Sequence, residues 1–188
     1  MPMTLLPKFL FSFCLLFFAC INVAMAKTPY VELCLRKFNP DRHCAEIQRN
    51  AERWDDSINS AAIKVGIDPL LLKSLVAIES HFNAKAHSRS GPTGLVQILP
   101  VTARKLGFSK EQLQSPENNL EAGAMYLKVQ LNQFNDDYLA VVAYNLGGKT
   151  VTPNKRAQHH ANFYADEVMS IYGYFKSQAN GEVLKGFE

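Results

Sequence analysis

Between Asp68 and Phe82 the apolar positions Leu71, Leu75, Ile78 and Phe82 recur at steps of three and four, with Leu72 and Val76 in a second row beside them. That period predicts a helix, and so much of its circumference is apolar that the helix is predicted to be buried. Asp68 followed by Pro69 marks the start, since the aspartate oxygen accepts an orphan N–H and proline has none to satisfy. Glu79 lies one turn beyond Leu75 and Val76, on a surface built for burial and near the negative end of the helix dipole. Both conditions disfavour the carboxylate and favour a protonated acid able to donate near neutral pH, provided the side chain does not simply face solvent at a fraying helix end. The following segment, with Ser88, Gly91, Gly94, Gln97 and Pro100, is small, polar and glycine-punctuated, as suits a turn running close beneath a ligand.

The remaining apolar pattern is helical as well. From about Arg42 to Val65, Ile47, Ala51, Trp54, Ile58 and Ala61 mark an amphipathic supporting helix that Gly66 stops, with Trp54 on the core stripe. A short helix after Pro100 ends at Gly107, and Ser109 with Gln112 reads as a capping box. Leu120, Ala124, Leu127, Leu131 and Phe134 mark a longer helix in which the small Ala122 and Gly123 predict a closely packed second helix. Asn135-Asp136 makes a turn, and Leu139, Val142 and Ala143 form a compact helix that delivers Tyr144 and Asn145 before Gly147-Gly148 ends it. Residues 149–160 are polar, contain Pro153 and predict a surface loop at a cleft mouth. Phe163, Tyr164, Val168, Ile171, Tyr172 and Phe175 restore a helical period, and residues 176–188 read as a mobile tail. The expected fold class is therefore mainly α, with little or no sheet.

Residues 1–26 carry one base, Lys8, then an apolar run from Phe9 to Cys20, then Ala24-Met25-Ala26, the pattern of a signal peptide for export to the periplasm. A competing reading of Phe17-Phe18-Ala19-Cys20 is a lipoprotein site with Cys20 as the lipidated residue. The remainder, roughly 160 residues, suffices for one domain with a real core and is expected to be a monomer. Its N-terminal arm, 27–45, holds Cys34 and Cys44, and in an oxidising compartment the expectation is a disulfide that staples the arm. The chain carries 20 Lys and Arg against 17 Asp and Glu, a formal net charge of +3, too even for a nucleic-acid partner. No cofactor is expected, and no metal: His159-His160 has no Cys, Asp or Glu nearby to complete a ligand set, and His81 and His87 read as surface or cleft-edge groups.

The arrangement Glu79-Ser80-x-Phe82, Ala86-x-Ser88, Gly91-x-x-Gly94-Leu95-x-Gln97 and Pro100-x-Thr102-Ala103 resembles the soluble lytic transglycosylase family, relatives of goose-type lysozyme. Asn119-Leu120-x-Ala122-Gly123-x-x-Tyr126-Leu127 resembles its second signature, Ala143-Tyr144-Asn145 with Gly147 its third, and Tyr164 with Val168 the tyrosine and valine of its closing helix. The resemblance spans roughly Ala61 to Phe175 and implies a lysozyme-like catalytic domain, 46–175, of helices around a central catalytic helix. The chain departs from the family pattern at Pro92, Val96 and Leu146-Gly147-Gly148-Lys149, and the last of these puts the shape of the substrate subsites in doubt.

Glycosidases usually work with two carboxylates, yet between Glu79 and Glu111 there is no Asp or Glu at all, and Asp136 and Asp137 are accounted for by helix capping. A single-acid mechanism fits that scarcity. The resemblance implies such a mechanism on peptidoglycan, with Glu79 protonating the bridge from N-acetylmuramic acid to N-acetylglucosamine and then taking the proton of the muramoyl 6-hydroxyl to leave a 1,6-anhydro end. It further implies that Ser88 bonds the reacting sugar or Glu79, that Gln97 supports the cleft wall, that Tyr144 places its hydroxyl near Glu79, that Asn145 helps hold the site, and that Gly91 and Gly94 are structural. The alternatives are a hydrolytic muramidase using the same acid, or a non-catalytic wall-binding assembly factor. The small size and the lack of an added wall-binding module motivate a further expectation, an enzyme that opens local gaps for an envelope-spanning secretion or conjugation apparatus.

Overall fold

A computed structural model of the protein describes residues 44–89, 91–147 and 155–180. The predicted signal peptide, the Cys20 site, Cys34 and residues 149–154 lie outside them. Cys44 is disulfide-bonded.

Six helices hold most of the described residues. They are α1 (Cys44–Val65), α2 (Pro69–Ser80), α3 (Pro100–Lys105), α4 (Pro116–Phe134), α5 (Asp137–Leu146) and α6 (Lys155–Ala179). A single 3₁₀ turn, Gln112–Gln114, precedes α4. No sheet forms among the described residues; the only extended pairings there are single bridges, His87 with Thr93 and Thr93 with Ile98. The expected mainly α, lysozyme-like architecture is thus the observed one.

Side chains at the helix ends account for most of the boundaries. The Leu70 N–H donates to Asp68 Oδ1 at 2.8 Å, with Pro69 in the first turn. The Leu139 N–H donates to Asp136 Oδ1 at 2.7 Å to start α5, and Gly147 closes it at φ 76°. The capping box before the 3₁₀ turn is reciprocal: the Ser109 N–H donates to Gln112 Oε1 at 2.7 Å and the Gln112 N–H to Ser109 Oγ at 3.2 Å. One N-terminal end corrects the sequence reading. Residues 155–160, expected in a loop, belong to α6; the stretch Lys155-Arg156-Ala157-Gln158-His159-His160 holds no large hydrophobe and so shows no apolar period to detect. At the other end α6 runs on to Ala179, so residues 176–179 are helical and not tail. Ser177 there is buried and its hydroxyl donates to Tyr174 O at 2.8 Å.

Helix α2 packs against α1 and α6, while α4 lies against α1, α3 and α5, and α5 closes on α6. Leu71, Leu72, Leu75, Val76 and Ala77 are all at most 1% exposed, which places both apolar rows of α2 in one continuous core with Ile58, Leu120, Leu127, Val142, Val168 and Ile171. Burying each such aliphatic side chain stabilises by roughly 1.5 to 3 kcal/mol, so this helix is fixed before any polar contact is counted. Trp54 is packed half-buried against the same core, with the Arg53 guanidinium 4.9 Å from its ring centre.

Candidate active site

Helix α2 stops one residue after Glu79. His81 and Phe82 turn left-handed at φ 53° and 60°, and the His81 N–H donates back to Ala77 O at 3.2 Å. Phe82, predicted on the helix, sits instead just past its end and is fully buried. Its ring offsets the cost of a backbone conformation that L-residues disfavour by about 1 to 2 kcal/mol. The sharp stop leaves the Glu79 carboxyl at the head of a cleft of about 250 Å³.

The opposite wall is the segment from Ala86 to Ile98, held by side chains from three helices. Ser80 Oγ of α2 donates to Leu95 O at 2.7 Å. Asn119 of α4 is clamped on both ends of its amide, accepting from the Val96 N–H at 3.1 Å and donating to Thr93 O at 3.0 Å. The Tyr144 hydroxyl of α5 donates to Val96 O at 3.0 Å. Gln97, left-handed at φ 46°, closes the turn from within, its Nε2 donating to Gly94 O at 2.9 Å and to Ala86 O at 3.1 Å. Two glycines are demanded by this packing. A Cβ on Gly94, itself at φ 78°, would fall 2.4 Å from the Asn119 amide, and one on Gly123 would fall 2.5 Å from the Val96 side chain. The neighbour that Gly123 admits is therefore the cleft wall, where sequence reading expected another helix.

Ser88, Gln97, Tyr144 and Asn145 all line the cleft with Glu79, joined by Pro92 and Tyr126. Gly94 lies buried beneath the wall and Gly91, at φ 103°, turns its exposed edge. Tyr126 packs its ring on Tyr144, centroids 4.9 Å apart. Glu79 itself is half-buried, and burial pushes its carboxyl up from the ordinary 4.5 to about 7. The Tyr164 hydroxyl of α6 donates to Glu79 Oε1 at 2.6 Å, which pulls the other way and is outweighed by desolvation. Burial first, and the facing Glu79 charge second, hold both the Tyr164 and Tyr144 hydroxyls well above 10, so each remains a donor.

Tyr144 does feel the Glu79 charge, but its hydroxyl is committed to the wall, and the hydroxyl that grips the acid is that of Tyr164. Tyr164 and Asn119 were both visible in the sequence motifs without being assigned a place at the site. The available signals were a phenol on the otherwise apolar face of α6 and an amide at the start of the apolar run of α4. Asp136 caps α5 at the end remote from Tyr144, roughly 12 Å along the helix axis at about 1.5 Å per residue, and does not reach the cleft. Glu79 is the one carboxylate in the cleft lining among the described residues, and these contain no cluster of His, Cys, Asp and Glu able to hold a metal.

Fold and site together define a lysozyme-type helical domain with one half-buried, hydroxyl-gripped acid facing a cleft. Residues 56–166 match the model of the Transglycosylase SLT domain, and the chain belongs to that family. It is 34% identical over 122 residues to "Membrane-bound lytic murein transglycosylase C" of Photorhabdus laumondii, a match covering 56% of this chain and 34% of that protein. It is 33% identical over 97 residues to the "Transglycosylase" of Enterobacteria phage PRD1, covering 52% and 36% respectively. Among solved structures, an inactive glutamate-to-glutamine mutant of lytic transglycosylase Slt from Pseudomonas aeruginosa superposes with a TM-score of 0.56 at 27% identity, covering 68% of this chain and 24% of that one. The chain spans about a third of the length of these two curated relatives.

Proposed function

We propose that this protein is a peptidoglycan lytic transglycosylase, cutting the β-1,4 bond between N-acetylmuramic acid and N-acetylglucosamine with Glu79 as its single acid and base. The observation that carries the reading is a lone carboxyl, raised to about 7 by burial, at the head of a cleft whose described lining holds no second carboxylate. Protonated Glu79 donates to the bridging oxygen as the C1–O bond breaks, and the leaving sugar departs with a new hydroxyl. The resulting carboxylate then accepts the proton of the muramoyl 6-hydroxyl while that oxygen bonds to C1. The acid is regenerated and no water is consumed. The nucleophile belongs to the substrate, so its proximity replaces the second enzyme carboxylate.

The side chains divide the remaining work. Tyr164 fixes the rotamer of Glu79 through one oxygen and leaves the other for the glycan. Gln97 spends its amide on the backbone and so shapes the wall. Ser88 and Asn145 face the cleft from opposite walls and are assigned to the sugars. The apolar run and A-x-A pattern of residues 1–26 support action outside the cytoplasm, on the wall polymer of the periplasm.

The test is digestion of purified peptidoglycan by the protein and by Glu79→Gln, with released muropeptides weighed by mass spectrometry. Products one water lighter than hydrolytic ones, absent with the variant, are expected. Reducing-end products lost in the variant would identify a muramidase, and no release by the wild-type protein would refute catalysis on this polymer.

A further inference from the structure

Helices α2 and α6 are tied together by a phenol at each end of α2. At its C-terminal end the Tyr164 hydroxyl donates to Glu79 Oε1 at 2.6 Å, and at its N-terminal end the Tyr172 hydroxyl donates to Asp68 Oδ2, also at 2.6 Å. The pairing of 79 with 164 and of 68 with 172 makes the two helices antiparallel. Asp68 has its other oxygen, Oδ1, on the Leu70 N–H at 2.8 Å, so one side chain both starts α2 and holds α6. The proposed reaction uses Tyr164 and gives the second pair no task.

Tyr172 is buried, and burial first, then the Asp68 bond, keep its hydroxyl above 10 and therefore donating. The Lys176 ammonium stands 4.9 Å from its ring centre, and Lys73 of α2 stands 5.0 Å from the Phe175 ring of α6, so this end of the interface is clasped from both helices. Between the two hydrogen-bonded pairs lie Leu72, Leu75, Val168 and Ile171, all fully buried. Apolar contacts are not directional, whereas a hydrogen bond holds its oxygens to within roughly half an ångström. At about 1.5 Å per residue, Asp68 and Glu79 stand roughly 16 Å apart along α2, and Tyr164 and Tyr172 roughly 12 Å apart along α6. Two directional bonds that far apart fix both the slide and the tilt of α6 on α2.

Glu79 alters its own bond. In the proposed reaction it alternates between acid and carboxylate, and the Tyr164 hydroxyl bonds the second more strongly than the first. The Asp68 end takes no part in proton transfer and holds α6 in place through both states. We infer that Tyr172 and Asp68 are positioning residues for the acid: their bond sets the register of α6 in which the Tyr164 hydroxyl reaches Glu79. The inference rests on the proposed reading of Glu79 and adds two residues that act on it through Tyr164, neither of them in the cleft lining. The ionisable groups facing Glu79 are Tyr164 of α6 and Tyr144 of α5; those facing Tyr172 are Asp68, Lys176 and Asp137 of α5, whose charge it feels. Loss of the Tyr172 bond lets α6 slide and lengthens the Tyr164 contact, which weakens the interaction that lowers the Glu79 proton affinity.

Three variants test this. Tyr172→Phe removes the bond and keeps the ring, and Asp68→Ser removes it from the other side while leaving one oxygen to cap Leu70. Ile58→Val, in the core face of α1, costs a comparable share of stability and touches neither pair. Two readings are taken on each: kcat and KM on peptidoglycan against pH, and the titration of Glu79 itself, followed by the carboxyl carbon NMR signal of isotope-labelled glutamate. Tyr172→Phe and Asp68→Ser should each move the Glu79 titration and the falling limb of kcat/KM up by roughly half a pH unit, a fraction of what losing a whole bond to a charged group gives. Each should lower kcat about threefold with KM unchanged. On top of Tyr164→Phe neither should move the titration further, because both act through that hydroxyl. Ile58→Val should leave it where it is. A Glu79 titration that stays put in the first two variants, moves as far in Ile58→Val, or moves again on top of Tyr164→Phe would overturn the inference, and either of the first two variants decides alone if the other fails to fold. The expected titration shift in a protein that releases no muropeptides would instead sustain the positioning role and sink the proposed reaction.

Discussion

Replacing Glu79 by glutamine should stabilise this protein, and only at high pH. The carboxyl rises from 4.5 in the unfolded chain to about 7 in the fold, chiefly through desolvation. A folded-state value above the unfolded one means that the group's contribution is fully present below about pH 4.5 and is lost as pH rises through about 7. At about 1.4 kcal/mol per pH unit, that interval corresponds to roughly 3 kcal/mol, an upper figure because the side chain is only half-buried. Glutamine is nearly isosteric, keeps an oxygen to accept from Tyr164, and never ionises. Urea unfolding of both proteins at pH 4.5, 6.5 and 8.5 isolates the effect, because every other titrating group is common to the pair and cancels in the difference. The variant should match the wild type at pH 4.5 and exceed it by about 2 to 3 kcal/mol at pH 8.5, equivalent to roughly 5 to 10 °C in Tm. A difference that does not change with pH would refute the claim that the fold holds this acid against ionisation.

The same displacement predicts that kcat/KM on peptidoglycan falls as pH rises through about 7; Tyr164→Phe, which removes the one hydrogen bond that lowers the Glu79 value, should move that falling limb to higher pH while reducing kcat roughly tenfold, and an unmoved limb would mean Tyr164 is merely structural. Asn119→Ala should strand the Val96 N–H and the Thr93 carbonyl and lower stability by about 2 to 4 kcal/mol, with chemical denaturation as the readout. Gly123→Ala, whose methyl would sit 2.5 Å from Val96, should cost about 1 to 3 kcal/mol and displace the wall, so that thermal melting and activity decline together; pairing it with Val96→Ala should restore much of the loss.

The helices were legible because each is a run of apolar residues at one period, bracketed by side chains with local reasons to be there. Asp68, Asp136, Ser109 and Gln112 do in the fold what their spacing announces, since caps act within three or four residues. The lone acid was legible for a related reason: Glu79 interrupts a greasy surface. What escaped were the contacts that tie distant segments together. Nothing near Tyr144 in sequence says that its hydroxyl ends on Val96, 48 residues earlier, or that the phenol reaching Glu79 comes from α6. The polar start of α6 was hidden too, because a helix that turns no large hydrophobe inward for its first turn has no period to read.

Glu79 and Tyr164 stand 85 residues apart, on α2 and on the last helix. The acid's proton is accordingly a property of the finished chain. A polypeptide still emerging from the ribosome, or threaded unfolded across a membrane, carries an ordinary glutamate that is ionised at neutral pH and has no proton to give. The raised proton affinity arrives only with the burial that the folded chain supplies, so the fold doubles as a timer that keeps the proposed reaction silent until the chain has folded.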